Sequence, residues 1–310
     1  MAGGDIVCFG ECMVELSRTE MADRWHSGFA GDTANVAVYC ARSGHSTKYM
    51  TAIGTDPFSE EMRSFLLHED VDTDLILTDP ERVPGLYAIR TDEHGERSFT
   101  YWRDNSAARH FFQAEGLDTA LAAAAKARLL YLSGITLSLF PEAGQARIAE
   151  LARKVRTNGG IVAFDGNYRA RGWQSAEVAR KAFASFAPHC SVILPTFEDE
   201  EALFGDASQE DSLARWHQWG AEVVALKLGP DGALVSHPGG TSHIPSERPR
   251  RPVDTTGAGD SFNAAFLAAF LDRADPIAAA RAGNRLAGEV VMHRGAIIPR
   301  EAMPATAAAA

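Results

Sequence analysis

The chain has 310 residues, of which 45% are hydrophobic and 23% are charged, and this composition is typical of a folded globular protein, not of a collagen-like, fibrous or disordered one. Its 41 acidic and 30 basic residues give a net charge of −11, which repels a phosphate backbone, so we expect no nucleic-acid partner. No apolar run approaches the roughly 20 residues that cross a bilayer, so we expect a cytoplasmic protein with no membrane partner.

Short apolar runs alternate along the chain with longer stretches of helical periodicity, which is typical of a mostly parallel sheet covered by helices on both faces. We therefore expect an α/β fold that forms one domain over residues 1–310. In chain order the sequence predicts strand Ile6–Phe9, helices Thr33–Ser43 and Phe58–His68, strand Leu129–Ser133, helix Pro141–Asn158, strand Ile161–Asp165, helix Ser175–Ala187, strand Ser191–Leu194, helix Ser212–Trp219 and strand Val223–Leu228.

Two stretches, Glu11–Ser17 and Gly85–Arg103, break this rhythm with strand-like alternation that has no helix between the strands. Turn residues at Asp92–Gly95 divide the second stretch into a hairpin. The pattern predicts a small separate β-sheet that is built from about residues 11–30 and 84–104.

Alternate residues of a strand project from opposite faces, so Phe99, Tyr101 and Arg103 share one face of this hairpin and Thr100 and Trp102 share the other. The first face either covers a ligand as a lid or packs against a neighbouring subunit, and the pattern leaves both open. A ribbon isolated from the main sheet also exposes unpaired edges. We therefore expect a homo-oligomer, in the simplest case a dimer, that forms through the lid.

The strongest local signal is Asp254–Asn263, with the sequence D-T-T-G-A-G-D-S-F-N, which runs directly into an apolar helix. Free N–H groups and the helix dipole at such a junction attract phosphate oxygens. The amides of Gly257, Ala258 and Gly259 are therefore a candidate anion hole, and Asp260 is the candidate catalytic base. A first-turn position favours the ionised carboxylate, so we expect Asp260 to be a weak base.

This segment resembles the second signature, D-T-x-G-A-G-D, of the ribokinase-like sugar kinases, and it is neither a Walker lysine loop nor a dinucleotide fingerprint. Gly31–Ala37, with the sequence G-D-T-A-N-V-A, resembles the sugar-binding signature of the same family. Further segments resemble the members that phosphorylate 2-keto-3-deoxygluconate, namely Pro84–Tyr87, Tyr101–Arg103, Asp165–Arg169 with Trp173 after it, and Arg294–Met303.

The resemblance implies a ribokinase-like fold with a β-sheet lid, the use of ATP and Mg²⁺, and phosphoryl transfer to the terminal hydroxyl of a small sugar acid, with Asp260 accepting the proton. By the same resemblance, the sugar would be bound by Gly31, Asp32, Asn35, Tyr87, Tyr101, Arg103, Arg169 and Asp260. The nucleotide would be bound by Asn167, Lys227, Gly229, Gly232, Gly257, Gly259 and Asn284.

The chemistry of a sugar acid supports two of these assignments independently. The planar guanidinium group of arginine can donate two parallel hydrogen bonds to a carboxylate, and Arg103 and Arg169 are the candidates for this contact.

The magnesium motif of the family, N-x-x-E, is replaced here by Thr196 and Asp199. The direct metal ligands are therefore unassigned: Asp199 is a candidate that acts through water, and we expect the phosphates to hold most of the metal.

Two other functions remain open at this stage. The chain could be a ribokinase-like kinase for another sugar acid or for a ketohexose such as fructose. It could also be a catalytically silent sugar-binding regulator on the same scaffold, because a fold alone does not establish an activity. The intact Gly257–Asp260 segment counts against the silent regulator.

Overall fold

A computed structural model describes residues 5–18, 24–91, 97–246 and 252–304 of the chain. The strands are β1 (Ile6–Phe9), β2 (Met13–Arg18), β3 (Trp25–Ala30), β4 (Thr47–Ile53), β5 (Val71–Asp72), β6 (Ile76–Thr78), β7 (Leu86–Thr91), β8 (Arg97–Trp102), β9 (Leu129–Ser133), β10 (Ile161–Asp165), β11 (Val192–Ile193), β12 (Val223–Lys227), β13 (Ala233–His237) and β14 (Gly240–Ile244). The helices are α1 (Asp32–Arg42), α2 (Pro57–His68), α3 (Leu117–Ala124), α4 (Gly134–Ser138), α5 (Glu142–Thr157), α6 (Ala176–Phe186), α7 (Phe197–Phe204), α8 (Gln209–Gln218), α9 (Ala258–Arg273) and α10 (Pro276–Val290). Within these described ranges, no helix is long and apolar enough to cross a membrane.

The large sheet has the strand order β14-β13-β12-β11-β10-β9-β1-β4-β5, and β6 also pairs with β4. Neighbouring strands of this sheet are parallel, except that β13 is antiparallel to both β12 and β14 at one edge. The carboxyl ends of the parallel strands lie along one edge of the sheet, as the pairing of Asp165 with Ser133 illustrates. Open α/β sheets bind their ligands at this edge.

Each face of the large sheet is buried against helices. In β1, Ile6 and Cys8 pack into the core that also contains residues of α1, α9 and α10. Val7 and Phe9 point the other way, into the core shared with α5, α6 and α8. This alternation confirms the expected α/β fold with helices on both faces of a mostly parallel sheet.

The small sheet has the order β3-β2-β7-β8 and is separate from the large one, as expected. The ring centroids of Tyr87 and Tyr101 lie 5.8 Å apart, and those of Phe99 and Tyr101 lie 6.4 Å apart, so these aromatic side chains share one face. Arg103 follows the end of β8 and does not continue that face as a strand residue. The expected turn at residues 92–95 lies outside the described residues.

The predicted elements agree closely with the observed ones, and the largest shift is at α8. That helix begins at Gln209, three positions before the expected Ser212, because Ser208 and Asp211 form a capping box. The Asp211 N–H donates to Ser208 Oγ at 3.2 Å, and the Ser208 N–H donates to Asp211 Oδ2 at 3.0 Å. Strand β11 is shorter than expected, at Val192–Ile193.

Candidate active site

The glycine-rich turn before α9 has the geometry that its sequence predicts. Gly257 has φ +75°, and a Cβ at this position would lie 2.7 Å from the Cα of Ala296, so only glycine fits. The helix then begins at Ala258 and carries Asp260 in its first turn. The N–H groups of a first turn have no partner within their own helix, and the Ala258 N–H donates instead to the carbonyl oxygen of Thr255, at 3.3 Å.

Asp260 is partly buried and is oriented by α1. The amide of Asn35 donates a 2.7 Å hydrogen bond to Asp260 Oδ2. Burial, and then the charge of Asp32, raise the pKa of Asp260 to about 7. The expectation that the first-turn position makes Asp260 a weak base is therefore wrong, because desolvation outweighs the helix dipole at this position.

Asp32 lies at the start of α1 and accepts hydrogen bonds from two neighbouring loops. Ser133 Oγ, at the end of β9, donates to Asp32 Oδ2 at 2.5 Å, and the Asn167 amide, after β10, donates to the same oxygen at 2.9 Å. Burial raises the pKa of Asp32, and these donors oppose the shift. The ends of two parallel strands therefore fix the orientation of this carboxylate.

A second buried network surrounds Lys227 at the end of β12. Its Nζ donates to Asp165 Oδ2 at 2.8 Å and to Asn263 Oδ1 at 3.0 Å. Neither Asp165 nor Asn263 was expected from the sequence to be a site residue. Their positions could have indicated it, because Asp165 ends a buried strand and Asn263 lies one helical turn after Asp260.

A cavity of about 140 Å³ lies between the start of α1 and the small sheet. Gly31 is required at its edge, since a Cβ there would lie 2.2 Å from the carbonyl oxygen of Glu11. Five of the residues expected to bind sugar line this cavity, and Asp260 is hydrogen-bonded to one of them, Asn35. The lining residues are Met13, Ala30, Gly31, Asp32, Asn35, Tyr87, Phe99, Tyr101, Thr256 and Ala296.

The two arginines expected to bind a carboxylate do not line this cavity. Arg103 forms an ion pair with Glu11, which is buried at the base of the small sheet. Arg169 Nη1 lies 3.1 Å from Asp199 Oδ1, and the Arg169 side chain is 58% exposed. Both guanidinium groups already have acidic partners in the protein, and only that of Arg169 is largely open to solvent.

The other residues expected to bind nucleotide divide into two groups. Gly229, with φ +56°, and Gly232, with φ +95°, form the turn between β12 and β13. The amide of Asn284 donates to the carbonyl oxygen of Ile244 at 2.9 Å, and a Cβ at Gly232 would lie 2.2 Å from that same oxygen. These three residues therefore lie together, whereas Asn167 lies on the side of Asp32.

The described part of the chain contains no group of three or more His, Cys, Asp or Glu residues arranged to hold a metal ion. Burial raises the pKa of Asp199, and the neighbouring Arg169 opposes the shift. The oxygens of Asp32 and Asp165 already accept hydrogen bonds from protein donors. These residues fit a metal ion that is held chiefly by a ligand's phosphates, with Asp199 as an outer carboxylate.

Comparison with known proteins agrees with this geometry. Residues 4–303 match the family described as pfkB family carbohydrate kinase. The chain is 42% identical to the 2-dehydro-3-deoxygluconokinase of Dickeya dadantii, with 98% of this chain and 100% of that protein covered. It is 41% identical to the enzyme of the same name from Escherichia coli K12, with 97% and 99% covered. A fructokinase of Klebsiella pneumoniae is 32% identical, with 77% and 75% covered.

Solved structures support the same fold. A PfkB protein from Polaromonas sp. JS666 superimposes with a TM-score of 0.83 at 25% identity, and the match covers 94% of this chain and 97% of that one. The aminoimidazole riboside kinase of Salmonella enterica, solved with its riboside and an ATP analogue, gives a TM-score of 0.81 at 23% identity, with 97% and 96% covered.

Proposed function

Because the chain belongs to the pfkB family of carbohydrate kinases, we propose that it transfers the γ-phosphoryl group of ATP to the terminal hydroxyl of 2-keto-3-deoxygluconate, which gives the 6-phosphate. The observation that carries the proposal is the position of Asp260. This carboxylate lies in the first turn of α9 and is hydrogen-bonded to Asn35, which lines the cavity under the small sheet. Relatives 37–42% identical over nearly their whole length carry the name of this activity.

In this mechanism Asp260 accepts the proton of the terminal hydroxyl as the hydroxyl oxygen forms its bond to phosphorus. The bond between the γ-phosphorus and its bridging oxygen breaks, and ADP leaves. With a pKa of about 7, Asp260 is matched to a proton transfer near neutral pH. Little proton removal is needed early in a loose transition state, so positioning by Asn35 matters as much as basicity.

The start of α9 receives the negative charge that develops during transfer. The amides of Gly257, Ala258 and Gly259 form the proposed anion hole, and they are held before the reaction begins because Gly257 packs closely against Ala296. Donors that are already oriented stabilise a developing charge without having to reorganise.

The sugar is held between α1 and the small sheet. Gly31, Asp32 and Asn35 contact its hydroxyls in this proposal, and Asp32 is oriented for that role by Ser133 and Asn167. The aromatic rings of Tyr87 and Tyr101 cover the cavity from the lid and exclude water.

Arg169 and Arg103 are proposed to bind the acid end of the substrate. Arg169 is the better placed of the two for an exchange of partners, since its side chain is 58% exposed and ion pairs open to solvent are weak. Arg103 forms an ion pair with the buried Glu11. In this proposal it binds the substrate carboxylate from the base of the lid, with its positive charge partly offset by Glu11.

The nucleotide is proposed to lie along the turn that joins the end of β12 to the start of β13. Its contacts in this proposal are Asn167, Lys227, Gly229, Gly232, Gly257, Gly259 and Asn284. Mg²⁺ bound to the phosphates would supply charge neutralisation, and Asp199 would be the carboxylate that holds it through water. The use of ATP and of a small sugar substrate leads us to propose a cytoplasmic location.

We also propose that residues 1–310 form one catalytic domain that dimerises through its lid. The lid exposes Trp102 by 59% and Tyr101 by 44%, and buried aromatic side chains stabilise interfaces strongly. Light scattering at micromolar concentration should show a dimer, and Trp102→Lys should weaken it. A stable monomer with full activity would contradict the dimer.

The experiment that tests the function is product identification. Purified protein, ATP-Mg²⁺ and 2-keto-3-deoxygluconate should give ADP and one phosphorylated product, and ³¹P NMR should place the phosphate on carbon 6. Phosphorylation of fructose alone would favour the fructokinase alternative, whereas sugar binding without ADP formation would favour the silent regulator.

A further inference from the structure

The buried lysine at the end of β12 is held in one position. Lys227 is 6% exposed, Asp165 is 3% exposed and Asn263 is fully buried. Nζ of Lys227 donates to both partners, at 2.8 and 3.0 Å. Burying an ammonium costs free energy unless a charged partner lies close by, and the Asp165 carboxylate is that partner.

The partners of Lys227 are themselves anchored from several elements. The amide of Asn263 donates to Asp165 Oδ2 at 2.6 Å and to the hydroxyl of Tyr131, on β9, at 3.1 Å. Asp165 Oδ1 accepts the backbone N–H of Asn167 at 3.1 Å. Folding therefore removes the rotamer freedom of Lys227 before any ligand binds, so the reaction does not have to order this side chain.

The ammonium lies beneath the first turn of α9. A Cβ built on Gly259 would have Lys227 Nζ as its nearest neighbour, at 3.8 Å. An ammonium has three N–H donors, and Asp165 and Asn263 accept two of them. We propose that Asp165 and Asn263 are positioning residues that hold the Lys227 ammonium at the anion hole, where its third donor binds the phosphoryl group in transfer.

The negative charges around the site explain why a positioned ammonium is needed. Asp32, Asp165 and Asp260 are buried or partly buried and lie close enough for their charges to interact, and the charge of Lys227 acts on both Asp165 and Asp260. A phosphoryl group that enters this region meets repulsion from the carboxylates. A positioned ammonium offsets that repulsion most where the transition-state charge develops.

A double-mutant cycle tests this inference, which rests on the proposed function. The variants are Asp165→Asn, Lys227→Met and the double variant. Asp79→Asn is the matched control, because Asp79 is also buried and pairs with Arg82 at 3.0 Å. If Asp165→Asn does not fold, Asn263→Ala replaces it, since that change removes the other acceptor of Nζ.

Loss of a direct donor to a transition-state anion lowers kcat by roughly 10²–10³, and we expect this loss for Lys227→Met. Asp165→Asn should lower kcat roughly tenfold or more with little change in KM for the sugar. If Asp165 acts through Lys227, the double variant should be no slower than Lys227→Met alone. Losses that multiply, or an equal loss in Asp79→Asn, would overturn the positioning role.

A binding measurement without sugar separates this inference from the proposed function. Calorimetry compares ADP with a non-hydrolysable ATP analogue, and the terminal phosphate should add affinity in the wild type and in Asp79→Asn. Both Lys227→Met and Asp165→Asn should lose this added affinity while ADP binding changes little. That pattern without sugar turnover would refute only the proposed function, whereas unchanged added affinity in both variants would refute only the positioning role.

Discussion

Asn35 and Asp260 are separated by 225 positions in the sequence, yet the Asn35 amide donates a 2.7 Å hydrogen bond to Asp260 Oδ2. The bond joins the start of α1, under the lid, to the start of α9, beside the proposed anion hole. The residue proposed to bind sugar and the residue proposed to accept the proton are thereby held together. The two halves of the proposed reaction meet at this carboxylate.

We expect Asp260→Asn to lower kcat by roughly 10²–10⁴, the usual contribution of a positioned base, while ATP and sugar affinities stay within about tenfold. Steady-state kinetics and calorimetry measure the two effects separately. Asp272→Asn is the control, because Asp272 lies on the same helix with a side chain that is 62% exposed. If Asp260→Asn keeps more than about a tenth of the wild-type kcat, Asp260 is not the base.

The rate of the wild type should depend on pH through Asp260. Burial and the charge of Asp32 raise its pKa to about 7, and only the ionised carboxylate can accept a proton. We therefore expect kcat/KM to rise with pH and to level off above about 7. A pH profile that is flat from pH 5.5 to 8.5 would contradict this assignment.

Asp260→Asn should also stabilise the fold above neutral pH. The pKa of this carboxyl is raised from 3.8 to about 7 on folding, so the folded state binds the proton more tightly than the unfolded chain does. The stabilisation is complete below about pH 4 and is lost as the pH rises to about 7, at a cost of up to about 4 kcal/mol. Urea unfolding should show Asp260→Asn more stable than the wild type at pH 8, and nearly equal to it at pH 4.

The stability of Asp260→Asn at pH 8 decides whether the pKa of Asp260 is raised. If Asp260→Asn were less stable than the wild type at pH 8, the Asp260 carboxylate would be a stabilising ion in the fold. The raised pKa, and with it the match to neutral pH, would then be wrong.

Arg169 should matter for the acid end of the substrate. We expect Arg169→Ala to weaken kcat/KM for 2-keto-3-deoxygluconate by roughly 2–4 kcal/mol, the scale for removing one partner of a charge pair that becomes buried when the substrate binds. A neutral ketose should lose far less. The measurement is kcat/KM for the sugar acid and for fructose, in variant and wild type.

Arg153→Ala is the matched control for Arg169→Ala, because Arg153 is also exposed and pairs with Glu150 at 2.7 Å, away from the cavity. It should change neither value. Equal losses on both substrates in Arg169→Ala would mean that Arg169 supports the loop or the nucleotide, and not the carboxylate.

The sequence was sufficient to predict the elements whose apolar residues coincide with the buried positions. Strands β1, β9 and β10 are short apolar runs, and they lie side by side at the centre of the sheet. Strand β4 was missed because its threonines and lysine hide the pattern, although Thr47 and Thr51 are buried. Helix α10 was missed despite a readable start, in which Asp275 caps it and Pro276 follows.

The sequence was less informative about which side chains meet. Gly31, Asp32 and Asn35 were found together because one motif contains them. The contact of Lys227 with Asp165 could not be predicted, because it depends on which strands are neighbours at the carboxyl edge of the sheet. The raised pKa of Asp260 could not be predicted either, since the shift follows from burial and from the charge of Asp32, and not from the position of Asp260 in a helix.

The most direct test of the account compares substrates under one condition. Purified wild-type protein is assayed for ADP formation with ATP-Mg²⁺ and, separately, 2-keto-3-deoxygluconate, gluconate, fructose and ribose. We expect kcat/KM for 2-keto-3-deoxygluconate to exceed kcat/KM for each neutral sugar by a factor of roughly 10² or more. This is the scale of one charge pair that becomes buried when the substrate binds. Equal or higher kcat/KM for fructose, or no turnover of any sugar acid, would contradict it.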